Sequence, residues 1–300
     1  NLSAVEKFMV RFRRQKATFA ECNSPVLEPQ EDRGGAAWAV VGLGNVGKEY
    51  DFTRHNIGFQ CVDTMLNLWC PEQRLVKEKH WYHCSLPEAE DRPEVHFVKP
   101  RTFMNLSGNA VRTFTQKHQV RHTNTIVIHD DLDLPLGSLR LKNKGSSGGQ
   151  RGVEDCLRRL GKSSRFIRIR VGIGRPRSAM DPSRWVLRRF QEDEEARVSR
   201  TTQRVAECVR LLTGGEALAA VMNRYNKSWE AFEQEDSNAK KEAKALQKQA
   251  SHEARRAAWL AKQAAAATDT AQLSSGDAAT TATTGVQDET QEEMQEQSRE

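Results

Sequence analysis

Four side chains of this sequence have the chemistry of a water-activating site: Asn45, His55, Asn105 and Asp130. A histidine beside an aspartate is the usual build of a general base. The carboxylate fixes the imidazole tautomer and steadies the imidazolium, while the histidine takes a proton from water or a hydroxyl. Asparagine amides suit a second task, because each offers a donor and an acceptor without charge to hold a carbonyl or a water. No serine or cysteine is read as a nucleophile, so direct attack by water is the expected chemistry. Taken one at a time the same residues have structural uses, with Asp130 and Asp133 capping a turn and His55 capping a helix.

These groups need strand-end loops of one sheet to bring them together. The apolar run Trp38 to Leu43 reads as a buried strand, and Gly42, Gly44 and Gly47 allow a sharp turn after it. Asn45 and His55 follow on the loop, and an amphipathic pattern from Asn56 to Trp69 reads as a helix. The turn is not read as a dinucleotide loop. Further strands are expected at His80–Leu86, Val95–Val98, Thr125–His129, Leu139–Lys142 and Phe166–Gly174. Asn105 lies on the loop Lys99–Gly108, and Asp130 ends the strand that begins at Thr125. Helices are expected through Val111 and Phe114 to about His118, then over Val153–Leu160, Glu192–Thr213 and Glu216–Glu233. Gly214-Gly215 separates the last two. The alternation of strands and helices predicts a single α/β domain.

Composition sets the remaining boundaries. The chain has 300 residues, 37% of them hydrophobic, and a formal net charge of +6, which suits an anionic partner. Six scattered cysteines with no Cys-x-x-Cys pair fit a reducing compartment. His80, His83 and Cys84 lie close together, but an alternating strand explains them, and no metal or cofactor is expected. No apolar run approaches the ~20 residues that span a bilayer, so no membrane partner is expected. Residues 1–37 read as a basic arm and linker. The stretch Phe8–Lys16 alternates basic and apolar residues, as organellar targeting segments do, and as a solvated basic arm also would. Residues 38–235 form the domain, 236–267 an Ala-, Lys- and Arg-rich helical extension, and 268–300 a disordered acidic tail.

Four motifs occur in order: Val-Gly-Leu-Gly-Asn-x-Gly-x-x-Tyr-x-x-Thr-Arg-His-Asn-x-Gly, Lys-Pro-x-Thr-Phe-Met-Asn-Leu-Ser-Gly, His-Asp-Asp-Leu-Asp-Leu-Pro-x-Gly and Arg-x-Arg-x-Gly-Ile-Gly-x-Pro. Together they closely resemble the bacterial-type peptidyl-tRNA hydrolase family, over roughly Trp38 to Asn226. The resemblance implies a twisted mixed sheet between helices. It also implies hydrolysis of the ester that joins a peptide to the terminal ribose of tRNA, without metal or cofactor. His55 matches the family's catalytic histidine and Asp130 the acid paired with it. Asn45 and Asn105 match the asparagines of the substrate groove, and Tyr50 and Met104 its walls. Lys142 and Arg170 fall on positions that meet tRNA phosphates, with Arg140 and Arg168 beside them.

The loop Gly145–Gly152 departs from the family pattern. Ser147 and Gln150 stand where the family has histidines, and Arg151 replaces an asparagine that helps hold substrate and water. Gln150 and Arg151 are therefore expected at the substrate or RNA. Two functions follow: an active hydrolase, expected in the mitochondrial or another organellar matrix, or an impaired homologue serving as an RNA- or ribosome-binding subunit. The expected partners are tRNA or rRNA, and ribosomal or ribosome-assembly proteins through the basic tail.

Overall fold

In the computed structural model, which describes residues 37–90, 92–161, 165–176 and 180–276 with side chains as far as Trp259, β1 (Trp38–Gly42) is buried along its whole length. A strand covered on both faces is a continuous apolar run, as this one is. Trp38 and Val40 face one core layer and Ala39 and Val41 the other. Six more strands join it: β2 (Val76–Lys77), β3 (Trp81–Leu86), β4 (Val95–Pro100), β5 (Thr125–Asp131), β6 (Leu139–Lys142) and β7 (Ile167–Gly172). Their order across the sheet is β2-β3-β4-β1-β5-β7-β6. The four central strands are parallel, and β2, β3 and β6 run antiparallel to their neighbours. The sheet is therefore mixed, as the resemblance implies.

The helices are α1 (Ile57–Trp69), α2 (Ser107–Lys117), α3 (Arg151–Leu160), α4 (Pro182–Val186), α5 (Glu192–Thr213), α6 (Leu218–Tyr225) and α7 (Trp229–Gly276). Helices α1, α5 and α6 pack with Val40, Ile126 and Ile128 on one face, while α2 and α3 pack with Val41 and Val127 on the other. Contact between β1 and α1 is glycine to glycine. A Cβ on Gly42 would lie 2.2 Å from the Gly58 carbonyl oxygen, and one on Gly58 2.5 Å from that of Ile128. This approach sets His55 close above the strand ends. The spacing Gly42-x-Gly44-x-x-Gly47 is that of a dinucleotide loop, but a 3-10 turn (Lys48–Tyr50) follows it and α1 starts only at Ile57. The glycine turn therefore does not run directly into a helix as a dinucleotide loop does.

Three elements differ from expectation. Strand β2 has two exposed residues, too few to show a period. Helix α4 opens on Asp181, whose Oδ1 accepts from Ser183 N at 2.6 Å with Pro182 in the first turn. The helix expected over Glu216–Glu233 is interrupted after Tyr225. There the Asn226 side chain bonds both the N–H and the carbonyl of Leu141, satisfying the edge of β6. The chain divides at Phe232 into two units. In the second, the side chains of residues 237–259 are all exposed. Helix α7 continues through residues 268–276, which composition assigns to a disordered tail. Residues 277–300 and the basic arm 1–36 lie outside the described residues.

Strands β3 and β4 and the end of α2 bring three histidines together. His83 Nε2 lies 3.1 Å from His96 Nδ1, and His118 stacks on Phe114 with centroids 4.3 Å apart. The ring of His118 is 5.0 Å from that of His83 and 4.9 Å from that of His96. No group of three His, Cys, Asp or Glu among the described residues is arranged to hold a metal. Burial, then the neighbouring histidines, pushes His83 down to about 4 from 6.5, although Glu78 opposes the shift. Burial also lowers His96 and His118, against Glu94 and, for His118, Glu78 as well; Lys117 adds to the lowering at His83 and His118. The folded state therefore refuses protons that the unfolded chain accepts. Stability from this cluster is complete above pH ~6.5 and is lost as the pH falls toward the folded value. Urea unfolding at pH 7, 6 and 5 should show a decline that His83→Gln flattens by about 1 kcal/mol per pH unit. An identical slope in the variant would mean that the cluster does not carry the dependence.

Candidate active site

The loop after β1 is fixed before any chemistry is considered. Asn45 N donates to Asn56 Oδ1 at 2.8 Å, and Asn56 Nδ2 donates back to the Asn45 carbonyl at 2.9 Å. This clasp ties Asn45 to the turn that carries His55. Asn45 Oδ1 then accepts from Met104 N at 2.8 Å, joining the loop after β1 to the one after β4. With its oxygen engaged, Asn45 has its Nδ2 donor left for the groove.

Beside it, His55 Nδ1 lies 2.8 Å from Asp130 Oδ2, and the two side chains are 16% and 4% exposed. A carboxylate only accepts, so Nδ1 carries the proton and the Nε2 lone pair is available to a substrate or a water. Asp130 Oδ1 accepts from Gln150 Nε2 at 3.1 Å, while Gln150 Oε1 accepts from Val153 N at 2.7 Å and caps α3. The three aspartates at the end of β5 each have a positively charged or chargeable partner. Asp130 has His55, Asp131 has Arg170, and Asp133 has Arg175 with Nη2 at 2.6 Å.

These groups line a groove of about 770 Å³ that contains Asn45, His55, Met104, Asn105, Asp130, Gln150 and Arg151. Phe103 and Leu187 add exposed apolar surface to its walls. The four residues expected to do chemistry thus share one cavity. Tyr50 is not among the residues lining it; its carbonyl accepts from the Thr53 hydroxyl at 2.8 Å and it belongs to the turn beneath. Gly145-Ser146-Ser147-Gly148-Gly149 has the Gly-x-Ser-x-Gly spacing, but Ser147 sits in irregular chain after β6 and not among the lining residues. It is not a strand-to-helix nucleophile elbow.

The basic residues separate by neighbour. Arg140 pairs across β6–β7 with Arg170, and Lys142 with Arg168, so all four share one face of the sheet. Arg168 is 1% exposed and donates to the carbonyls of Gly145 and Ser146 at 2.9 and 2.8 Å. It holds the loop in place of reaching a phosphate. Arg170 is half-buried against Asp131, which leaves Arg140 exposed and Lys142 half-buried as cations facing outward.

Sequence reasoning passes over Arg54, although it lies beside His55. Its guanidinium is fully buried between Trp185 and Phe190, 3.9 and 4.7 Å from the ring centroids, with Nη2 2.6 Å from Glu194 Oε2. Arg54 N also donates to the Arg188 carbonyl at 2.9 Å, and Thr53 bridges Arg189. Arg54 thereby fastens α4, which forms one groove wall, to the turn that presents His55. The run Thr-Arg-His-Asn shows the arginine, but its partners lie about 130 residues further on.

A family model described as peptidyl-tRNA hydrolase matches residues 39–235. The peptidyl-tRNA hydrolase of Chloroflexus aggregans is 42% identical over 194 residues, covering 63% of this chain and 98% of that protein. The one from Geobacillus kaustophilus is 40% identical over 186 residues, covering 62% and 97%. Among solved structures, the Acinetobacter baumannii peptidyl-tRNA hydrolase aligns with a TM-score of 0.58 at 31% identity, covering 64% of this chain and 95% of that one.

Proposed function

The chain belongs to the peptidyl-tRNA hydrolase family, and on that premise we propose that His55, oriented by Asp130, activates the water that cleaves the peptidyl-tRNA ester. The observation that carries this reading is the 2.8 Å contact between His55 Nδ1 and Asp130, with His55 opening on the groove. The Nε2 lone pair takes a proton from water as the water oxygen bonds to the ester carbonyl carbon. The Asn45 and Asn105 amides stabilise the oxyanion that forms. Collapse breaks the bond to the ribose oxygen, which receives the proton from His55, and peptide and tRNA separate. Met104 and Phe103 supply apolar wall to the peptide side, and Arg151 supplies a cation at the start of α3. The test is single-turnover cleavage of one peptidyl-tRNA by the whole chain. Release of tRNA above the spontaneous rate supports the reading, and release at that rate overturns it.

For the RNA itself, Lys142 with Arg140 is the phosphate contact, because Arg168 and Arg170 are engaged within the domain. Lys142→Ala should weaken tRNAs of different sequence alike and reduce the salt slope of binding by about one. An unchanged slope would place the RNA surface elsewhere. The exposed basic stretch of α7, with Lys240, Lys241, Lys244, Lys248, Arg255 and Arg256, suits a second anionic surface such as ribosomal RNA. The organellar address rests on the composition of Phe8–Lys16.

A further inference from the structure

Resting on the hydrolase reading above, we propose that Gln150 is a positioning residue for the reaction: it locks the Asp130 carboxylate to the N-terminus of α3, so that His55 is held at one angle. The terminal torsion of an aspartate is broad, and one hydrogen bond does not fix the carboxylate plane. Asp130 has two, on different oxygens: His55 Nδ1 at 2.8 Å on Oδ2 and Gln150 Nε2 at 3.1 Å on Oδ1. Gln150 is itself bonded at both ends of its amide. Its Oε1 accepts from Val153 N at 2.7 Å, its Nε2 lies 3.1 Å from Met104 Sδ, and the residue is 9% exposed. A continuous chain of bonds therefore runs from the imidazole through two side chains to a helix terminus.

The chemistry required at position 150 is narrow. One atom must donate to a carboxylate while another accepts from a backbone N–H, both at the reach of a long side chain. A neutral glutamine amide does this with no charge to titrate, and a neutral imidazole has the same pair of functions. Gln150 thus acts through Asp130 and not on the RNA, and the change at this position preserves the support beneath the base. Arg151, the next residue, remains the one of the pair that presents a new group to the substrate.

The experiment compares kcat, KM and thermal unfolding of the parent, Gln150→Ser and Gln150→His on one peptidyl-tRNA. Serine still caps α3 by accepting from Val153 N, but it is too short to reach Asp130. Gln150→Ser should lower kcat about ten- to a hundredfold, the scale of a misoriented catalytic group, with KM and Tm unchanged. Gln150→His should recover most of that loss. Parental kcat in Gln150→Ser, a loss matched by a fall in Tm, or a Gln150→His variant as slow as the serine one would overturn the proposal. A parent that cleaves normally beside a harmless Gln150→Ser removes only this assignment. An inactive parent removes the hydrolase reading and this proposal with it.

Discussion

Replacing His55 by Ala is expected to slow single-turnover cleavage roughly a hundredfold to ten-thousandfold, the range that a positioned general base supplies. The geometry explains why the loss falls on the chemical step. His55 Nδ1 is committed to Asp130, so a single ring nitrogen is left for the groove, and the proposed mechanism gives it the proton of the attacking water. Removing the ring leaves Asn45 and Asn105 in place, and in the proposed mechanism their amides would still stabilise the oxyanion without activating water. Binding of peptidyl-tRNA should stay as in the parent, because the outward cations Arg140 and Lys142 lie on β6 and not beside the ring. Asp130 keeps its bond from Gln150, so the carboxylate is not left bare in the core. A rate within a few-fold of the parent would show that the base is another group.

Arg54→Leu is expected to destabilise the domain by about 3 kcal/mol, the low end for breaking a buried pair, because Glu194 is 20% exposed and retains some solvent. Leucine fills part of the space between Trp185 and Phe190 but offers neither the charge nor the planar stacking of the guanidinium. Glu194 would keep its bond from Gln191 N, at 2.8 Å, and lose its cation. For a domain of this size the change corresponds to a Tm lower by roughly 6–12 °C, read by thermal unfolding at neutral pH. Arg54→Lys should recover only part of that, since an ammonium does not stack between two rings. A Tm within about 2 °C of the parent would mean that α4 is held to the His55 turn by other contacts.

The elements that carry the site could be read in the sequence because each has its own local signal. Val40 and Val41 sit in an uninterrupted apolar run, and Ile167, Ile169 and Val171 alternate with arginines. The positions of His55 in the turn after β1 and of Asp130 at the end of β5 follow from those elements. What the sequence left unread depends on distant partners. Arg54 looks like a solvated cation until Trp185, Phe190 and Glu194 close on it. Arg168 and Lys142 differ by no local pattern, yet one holds a loop and the other faces outward. Gln150 reads as a lost histidine, and only the fold places both ends of its amide. Asn226 interrupts a helical pattern because the edge of β6 needs its amide, a demand set 85 residues away.

In the proposed mechanism His55 and Asp130 act on water as one unit, and a double-mutant cycle tests that most directly. Single-turnover cleavage would be measured for the parent, His55→Ala, Asp130→Asn and the variant carrying both changes. Asparagine can turn an N–H toward His55 and so favour the wrong tautomer, which makes Asp130→Asn slow by itself. If the aspartate works only through the histidine, its loss costs nothing once the histidine is gone. The predicted result is a doubly changed protein no slower than His55→Ala alone. A rate reduced by the product of the two single losses would show two independent contributions and contradict the account.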